Sequence, residues 1–279
     1  MTTADLGRVA IEEGVVFGTG GGRDLRCDIF TPPGEGTNRP AVLLVHGGGW
    51  SGGDRTQLKG YGILLGRHGF VSVACEYRLS GEAHWPAQIH DVKAALRWMR
   101  ANSDRLGIDP SRIAVSGNSA GGHLVLMMGG TPNVAEFEGD GGNPGIDTSV
   151  SAVLSFYPPT EFGAPDALSG AVSALMGPNA EAEAVRKAAP MAWANAEFPP
   201  TAFFHGTKDE LVPVEASLKM YRALSAAGVS AELHVYADQP HAFDGPAAFG
   251  RQCAEIMALF LKRYVVEGAG TKQPAASTR

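Results

Sequence analysis

DPSRIAVSGNSAGGHL, residues 109–124, is the stretch on which the fold turns. Residues 113–116 form a short apolar run of strand type, and the run from Ala120 to Met128 is apolar on every side. A strand that passes straight into a buried helix belongs to a largely parallel sheet covered on both faces. Ser119 stands at the corner between them, with Gly117 and Gly121 two residues away on either side. This is the G-x-S-x-G pattern of a serine on a strained strand-to-helix turn, where small neighbours let the helix lie close to the sheet. The pattern decides little by itself in a chain with 37 glycines, and it recurs as Gly49-Trp-Ser51-Gly-Gly53. No apolar helix follows Ser51, which reads as a turn residue. Ser119 is therefore the candidate nucleophile.

Seven further runs of strand type lie at residues 9–17, 25–30, 41–45, 70–74, 152–156, 201–204 and 232–236, giving eight in all. Helical spacing follows Pro86 (Ile89, Val92, Leu96, Met99) and covers residues 121–128, 213–227 and 247–264. The alternation predicts one α/β domain over residues 1–267, with ligands bound beyond the carboxyl ends of the strands. The polar tail at 268–279 is expected to be disordered.

A formal charge of −6, from 23 basic and 29 acidic residues, argues against nucleic acid or an anionic membrane as the partner. No apolar run has the length of a membrane span, and the first residues lack a basic start followed by an apolar stretch. A cytoplasmic enzyme is expected, with a homo-oligomer left open. Cys27, Cys75 and Cys253 are far apart and read as reduced thiols. No His/Cys cluster has ligand spacing, so neither a metal nor an organic cofactor is expected.

His46-Gly-Gly-Gly-Trp50 follows the apolar run 41–45 directly. An oxyanion needs backbone N–H groups within about 3 Å, and glycines clear the approach. Gly48 and Gly49, with Ala120 just after the serine, are the predicted donors. A phosphate cradle is the competing reading, but no Lys-Ser/Thr pair follows. The chain order serine, acid, histidine disfavours His205, His234 lies inside the run 232–236, and His241 follows that run in a polar loop, which makes it the candidate base. Asp209 is preferred to its neighbour Glu210, and to Asp238 and Asp244, because it occupies the strand-to-helix loop after residues 201–204, where the acid belongs. His46 is read as a brace for its loop and His123 as core. Trp50 and Tyr157 are candidates for the substrate pocket, although packing under the loop suits Trp50 as well. Arg78 and Asp91 are expected to pair. The acidic, glycine-rich loop at 136–147 is expected at the far end of the sheet, remote from Ser119.

The chain resembles the α/β-hydrolases, in their feruloyl/acetyl-esterase-like and hormone-sensitive-lipase-like branches. The residues that carry it are HGGGW (46–50), EYRLS (76–80), WPAQIHDVKAALRWMR (85–100), DPSRIAVSGNSAGGHL (109–124), HGTKDELVP (205–213) and QPHAF (239–243). The resemblance spans about residues 10–265. It implies an eight-stranded sheet and hydrolysis of carboxylic esters through an acyl-enzyme, with a small-molecule ester as partner. Only 45 residues precede the glycine loop, so the lid is expected from 157–200. Two other readings remain: an amide hydrolase like the kynurenine formamidases, which share an HGGxW loop, and a non-catalytic ligand-binding homologue.

Overall fold

Leu43 and Val45 turn to one side of their strand, Val42 and Leu44 to the other, and all four are buried. A strand buried on both faces needs helices on both faces. The computed structural model, which describes residues 7–163 and 168–268, has that arrangement. Its strands are β1 (Ala10–Gly20), β2 (Arg23–Thr31), β3 (Arg39–Val45), β4 (Val71–Cys75), β5 (Ile108–Asn118), β6 (Val153–Phe156), β7 (Thr201–Gly206) and β8 (Ala231–Tyr236). They form one sheet in the order β1-β2-β4-β3-β5-β6-β7-β8. The pairs β1–β2 and β2–β4 are antiparallel and the others parallel. The expected α/β-hydrolase architecture is present.

The helices are α1 (Lys59–Arg67), α2 (Ala87–Ala101), α3 (Ser103–Leu106), α4 (Ala120–Gly130), α5 (Ser169–Met176), α6 (Ala182–Lys187), α7 (Glu215–Ala226) and α8 (Ala247–Leu261). One apolar layer holds Ile89 and Leu96 of α2, Leu124 of α4 and Leu224 of α7. The other holds Tyr61 and Leu65 of α1 and Met257 and Phe260 of α8. Among the described residues, no helix is long and apolar enough to cross a membrane. The tail expected at 268–279 lies, beyond Gly268, outside the described residues.

Two elements differ from the sequence expectation. Helix α1 was not expected, because Gly60, Gly62 and Gly66 lower helix propensity. Their reason is contact. A Cβ on Gly62 would stand 2.4 Å from the Phe30 ring, and one on Gly66 2.8 Å from Val9. Strand β5 begins at Ile108 rather than 113. Its first residue pairs with Arg39, the register then shifts, and Asp109 accepts from the Ser111 amide at 2.9 Å around Pro110, which has no N–H to give.

The three cysteines are free and buried, and burial pushes Cys27 up to about 12 and Cys253 to about 11, so both remain unreactive thiols. Arg78 and Asp91 pair through two contacts of 2.8 Å, and Asp91 also accepts the Arg78 amide at 2.8 Å. The loop at 136–147 lies along the flank of α2. Lys93 Nζ and Arg97 Nη1, both buried, reach Glu138 at 2.7 and 3.3 Å, and Arg97 also donates to the Gly141 and Gly142 carbonyls. Glu138 and Asp140 are absent from the residues lining the Ser119 cleft. The loop is thus remote from the serine, as expected, but held to a helix flank rather than hanging below the sheet. Removing the Glu138 charge leaves two cations facing it inside the protein. We expect Glu138→Ala to lower unfolding stability by about 3 kcal/mol in urea titrations.

Candidate active site

Strands β3, β5, β6, β7 and β8 are in register, so their carboxyl ends open on one edge of the sheet. The glycine loop, Ser119, Tyr157, Asp209 and His241 all leave from that edge. Ser119 has φ 53° and ψ −116°, a backbone conformation that an L-residue adopts only when its surroundings impose it. Its amide is fixed to the Phe156 carbonyl at 2.9 Å. A Cβ on Gly121 would lie 2.1 Å from the Val45 carbonyl oxygen, and one on Gly117 2.4 Å from that of Gly121. The corner closes only with glycine at both places.

His241 Nε2 lies 2.9 Å from Ser119 Oγ, and His241 Nδ1 lies 2.7 Å from Asp209 Oδ2. The carboxylate requires the proton on Nδ1, leaving Nε2 free to accept from the serine hydroxyl. Burial of Asp209 alone would raise its pKa, but hydrogen bonds from His205, His241 and the Val212 amide outweigh it and hold the carboxyl well below 3.8. Leu211 and Val212 donate their amides to Asp209 Oδ1 at 3.0 and 2.8 Å. His205, set aside on chain order, meets the same carboxylate at 3.2 Å while its Nδ1 takes the Ser217 hydroxyl at 2.7 Å. It buttresses the acid from beneath. The rival acids are elsewhere: Asp238 faces Lys208 at 2.9 Å, and Glu210 is exposed.

The loop His46–Trp50 bends over the serine. Gly48 and Gly49 have φ 115° and 59°, and Ser51 and Gly52 donate their amides back to the Gly48 carbonyl. Among the described residues, the amides of Gly48, Gly49 and Ala120 meet no acceptor. His46 donates to the Gly47 carbonyl at 2.8 Å and stacks on Tyr77 at 4.3 Å. Tyr77 in turn donates to the His46 carbonyl at 3.0 Å. His46 is a brace, and Ser51 an exposed turn residue.

Trp50 does not line the substrate pocket, contrary to that expectation. It is buried, donates from Nε1 to His123 Nδ1 at 3.2 Å, and packs edge-on to Phe162. A bulky apolar ring whose N–H finds a buried acceptor gains more beneath the loop than in the cleft. Tyr157 does line the cleft, with its ring 4.5 Å from that of His241.

The cleft in front of Ser119 measures about 820 Å³. Its walls come from residues 57–67 and 241–251, and among the described residues Tyr157 is its sole lining residue from the 157–200 segment expected as a lid. Asp244, weighed from the sequence only as a rival acid, has another place. That carboxylate is buried, and it accepts from Tyr61 at 2.8 Å, Asn118 at 2.8 Å and Tyr157 at 2.5 Å. Its distance of three residues from His241 was the only signal in the sequence.

Known proteins can now be set beside this geometry. The BD-FAE family model matches residues 27–224. The chain is 33% identical over 274 residues to the probable carboxylic ester hydrolase LipM of Mycobacterium tuberculosis, covering 90% of this chain and 61% of that protein. It thus spans about three fifths of the length of the curated relatives it matches. A truncated carbohydrate esterase from gut microbiota superposes with a TM-score of 0.84 at 26% identity, over 94% of this chain and 99% of that one. The propionate-bound esterase 2 of Thermogutta terrifontis gives 0.77 at 25%, over 98% of each chain.

The depressed Asp209 carboxyl has a consequence for acid stability. A group whose folded pKa lies below its unfolded 3.8 contributes stability fully above that value and loses it as pH falls through the folded one. Asp209→Asn lacks this contribution. The stability difference between wild type and Asp209→Asn, from denaturant titrations, is expected to shrink as pH drops from about 5 to about 2.5.

Proposed function

Because the chain belongs to the BD-FAE family, we propose that it is a serine carboxylesterase acting on small, short-acyl esters. The observation that carries this is the unbroken relay Ser119 Oγ, His241 Nε2, His241 Nδ1, Asp209 Oδ2, at 2.9 and 2.7 Å, opening into one cleft. The named relatives support it, being ester hydrolases, and the propionate in the Thermogutta esterase supports a short acyl group.

In this reading His241 Nε2 removes the Ser119 proton as Oγ attacks the ester carbonyl carbon. The carbonyl π pair moves onto oxygen, and the oxyanion is received by the amides of Gly48, Gly49 and Ala120. The N-terminus of α4 adds its positive end there. Asp209 holds the tautomer and stabilises the imidazolium without taking its proton. Collapse of the intermediate breaks the bond to the alcohol oxygen, which takes the proton from His241. Water, deprotonated by His241, then attacks the acyl-enzyme, and a second collapse frees the acid and restores Ser119. The residues in hand supply both the nucleophile and the proton transfers.

We expect Ser119→Ala to abolish turnover of p-nitrophenyl acetate and butyrate, while Ser51→Ala keeps most of it. Equal loss in two folded variants would sink the assignment. Asp209→Asn is expected to lower kcat by about 10⁴ with the fold intact, whereas Glu210→Gln stays near wild type. Running N-formylkynurenine beside the ester panel separates esterase from formamidase. Covalent labelling by a fluorophosphonate, lost in Ser119→Ala, separates both from a binding protein.

A further inference from the structure

The cleft is not electrically even. At its inner end lies Asp244, a carboxylate without a cation, held by Tyr61, Tyr157 and Asn118. At its rim two arginines line it, Arg67 at the end of α1 and Arg251 in the first turns of α8. Both are exposed, and among the described residues neither makes an ion pair or a side-chain hydrogen bond. Arg55, Arg78 and Arg105, by contrast, are each held by a carboxylate. Glu255, one turn beyond Arg251 on α8, faces His68 at 3.3 Å instead.

The reach between the two ends can be read along α1. Tyr61, whose hydroxyl meets Asp244, precedes Arg67 by six residues, about 9 Å of helix. Between them the wall is apolar, with Ile63 and Leu64 lining it. A chain lying along that wall leaves the reacting centre past a negative group and ends beside two free guanidinium groups. A distal anion is repelled at the inner end and attracted at the rim, so one orientation is favoured.

We propose that Arg67 and Arg251 form a subsite for a carboxylate at the far end of the substrate, so that the esters preferred are those of dicarboxylic acids or of hydroxy acids. This rests on the esterase reading above. A planar carboxylate has two oxygens, one for each guanidinium, and such charge-assisted bonds are stronger than neutral ones.

The test compares kcat/KM for p-nitrophenyl hemiesters from glutarate to suberate with that for neutral p-nitrophenyl esters of equal chain length. A second series compares acetates of ω-hydroxy acids with acetates of the matching alcohols, because the cleft can take either side of the ester. In at least one series the anionic substrate is expected to be favoured about tenfold, and less so as salt is raised. In Arg67→Gln/Arg251→Gln the ratio of anionic to neutral kcat/KM falls to about one, while fluorophosphonate labelling and an unchanged urea midpoint certify the fold. No anionic preference in either series, or one that survives the double substitution, overturns the subsite and leaves the esterase reading standing. If neutral esters are not hydrolysed either and the fluorophosphonate does not label Ser119, the esterase reading falls and the subsite with it.

Discussion

The close approach of the first turn of α4 to the ends of β3 and β6 is the constraint on which the site depends. The Gly121 Cα sits where a methyl group would enter the Val45 carbonyl, and a Cβ on Gly122 would come 2.8 Å from the Phe156 carbonyl. That proximity forces the chain through φ 53° at Ser119 and lifts the side chain off the sheet edge. It also brings the glycine loop onto the corner, since a Cβ on Gly47 would meet the Asn118 carbonyl at 2.8 Å. The hydroxyl and the unpaired amides therefore converge by backbone contact rather than by side-chain choice. A strained serine survives because the surrounding sheet and helix over-determine it.

The His241 ring is positioned from two directions. Asp209 fixes the His241 ring, and Asp244, three residues on, anchors the loop that carries it. Asp244 gathers donors from α1, from the end of β5 and from the residue after β6, so three elements meet on one carboxylate. Burial pushes the Tyr61 and Tyr157 phenols upward, which keeps both as donors. A buried carboxylate with three donors and no cation is costly unless every donor is in place. The cluster thus ties the geometry of the His241 loop to the packing of α1.

Ser119, Asp209, His241 and the glycine loop were legible because each follows a strand, and strand ends are marked by apolar runs stopped by glycine or polar residues. Placement then separated Asp209, in a strand-to-helix loop, from Asp238, and His241, in a loop, from His234 inside β8. Helix α1 was not legible: its glycines lower propensity, and their packing partners, Phe30 and Val9, precede them by about thirty or more residues. With α1 went Tyr61, Arg67 and the location of the cleft, and the lid expected from 157–200 took its place. Trp50 was ambiguous for the same reason. Its partner His123 is distant in sequence, and only the fold reveals the hydrogen bond between them. Local pattern identifies what stands at a strand end, whereas walls depend on which helices meet across the sheet.

That meeting also decides the side from which Ser119 can be approached. Toward the α2 and α4 face the space is filled by Trp50, Trp85, Phe162 and His123, with ring centroids 5.1 to 5.8 Å apart. His123 is pushed down to about 4 by burial, so it stays neutral in this apolar cluster. Both of its nitrogens are occupied: Nδ1 accepts from Trp50, and Nε2 donates to the Ala188 carbonyl at 2.8 Å. It can neither relay a proton nor yield room, although it lies only four residues from the nucleophile. Residues 188–193 close over this face, the Met191 amide binding the Thr160 carbonyl. On the opposite face, residues of α1 and α8 line the cleft in front of the serine. The two faces of one sheet therefore play different parts, one a solid support for the strained corner and the other the opening to it.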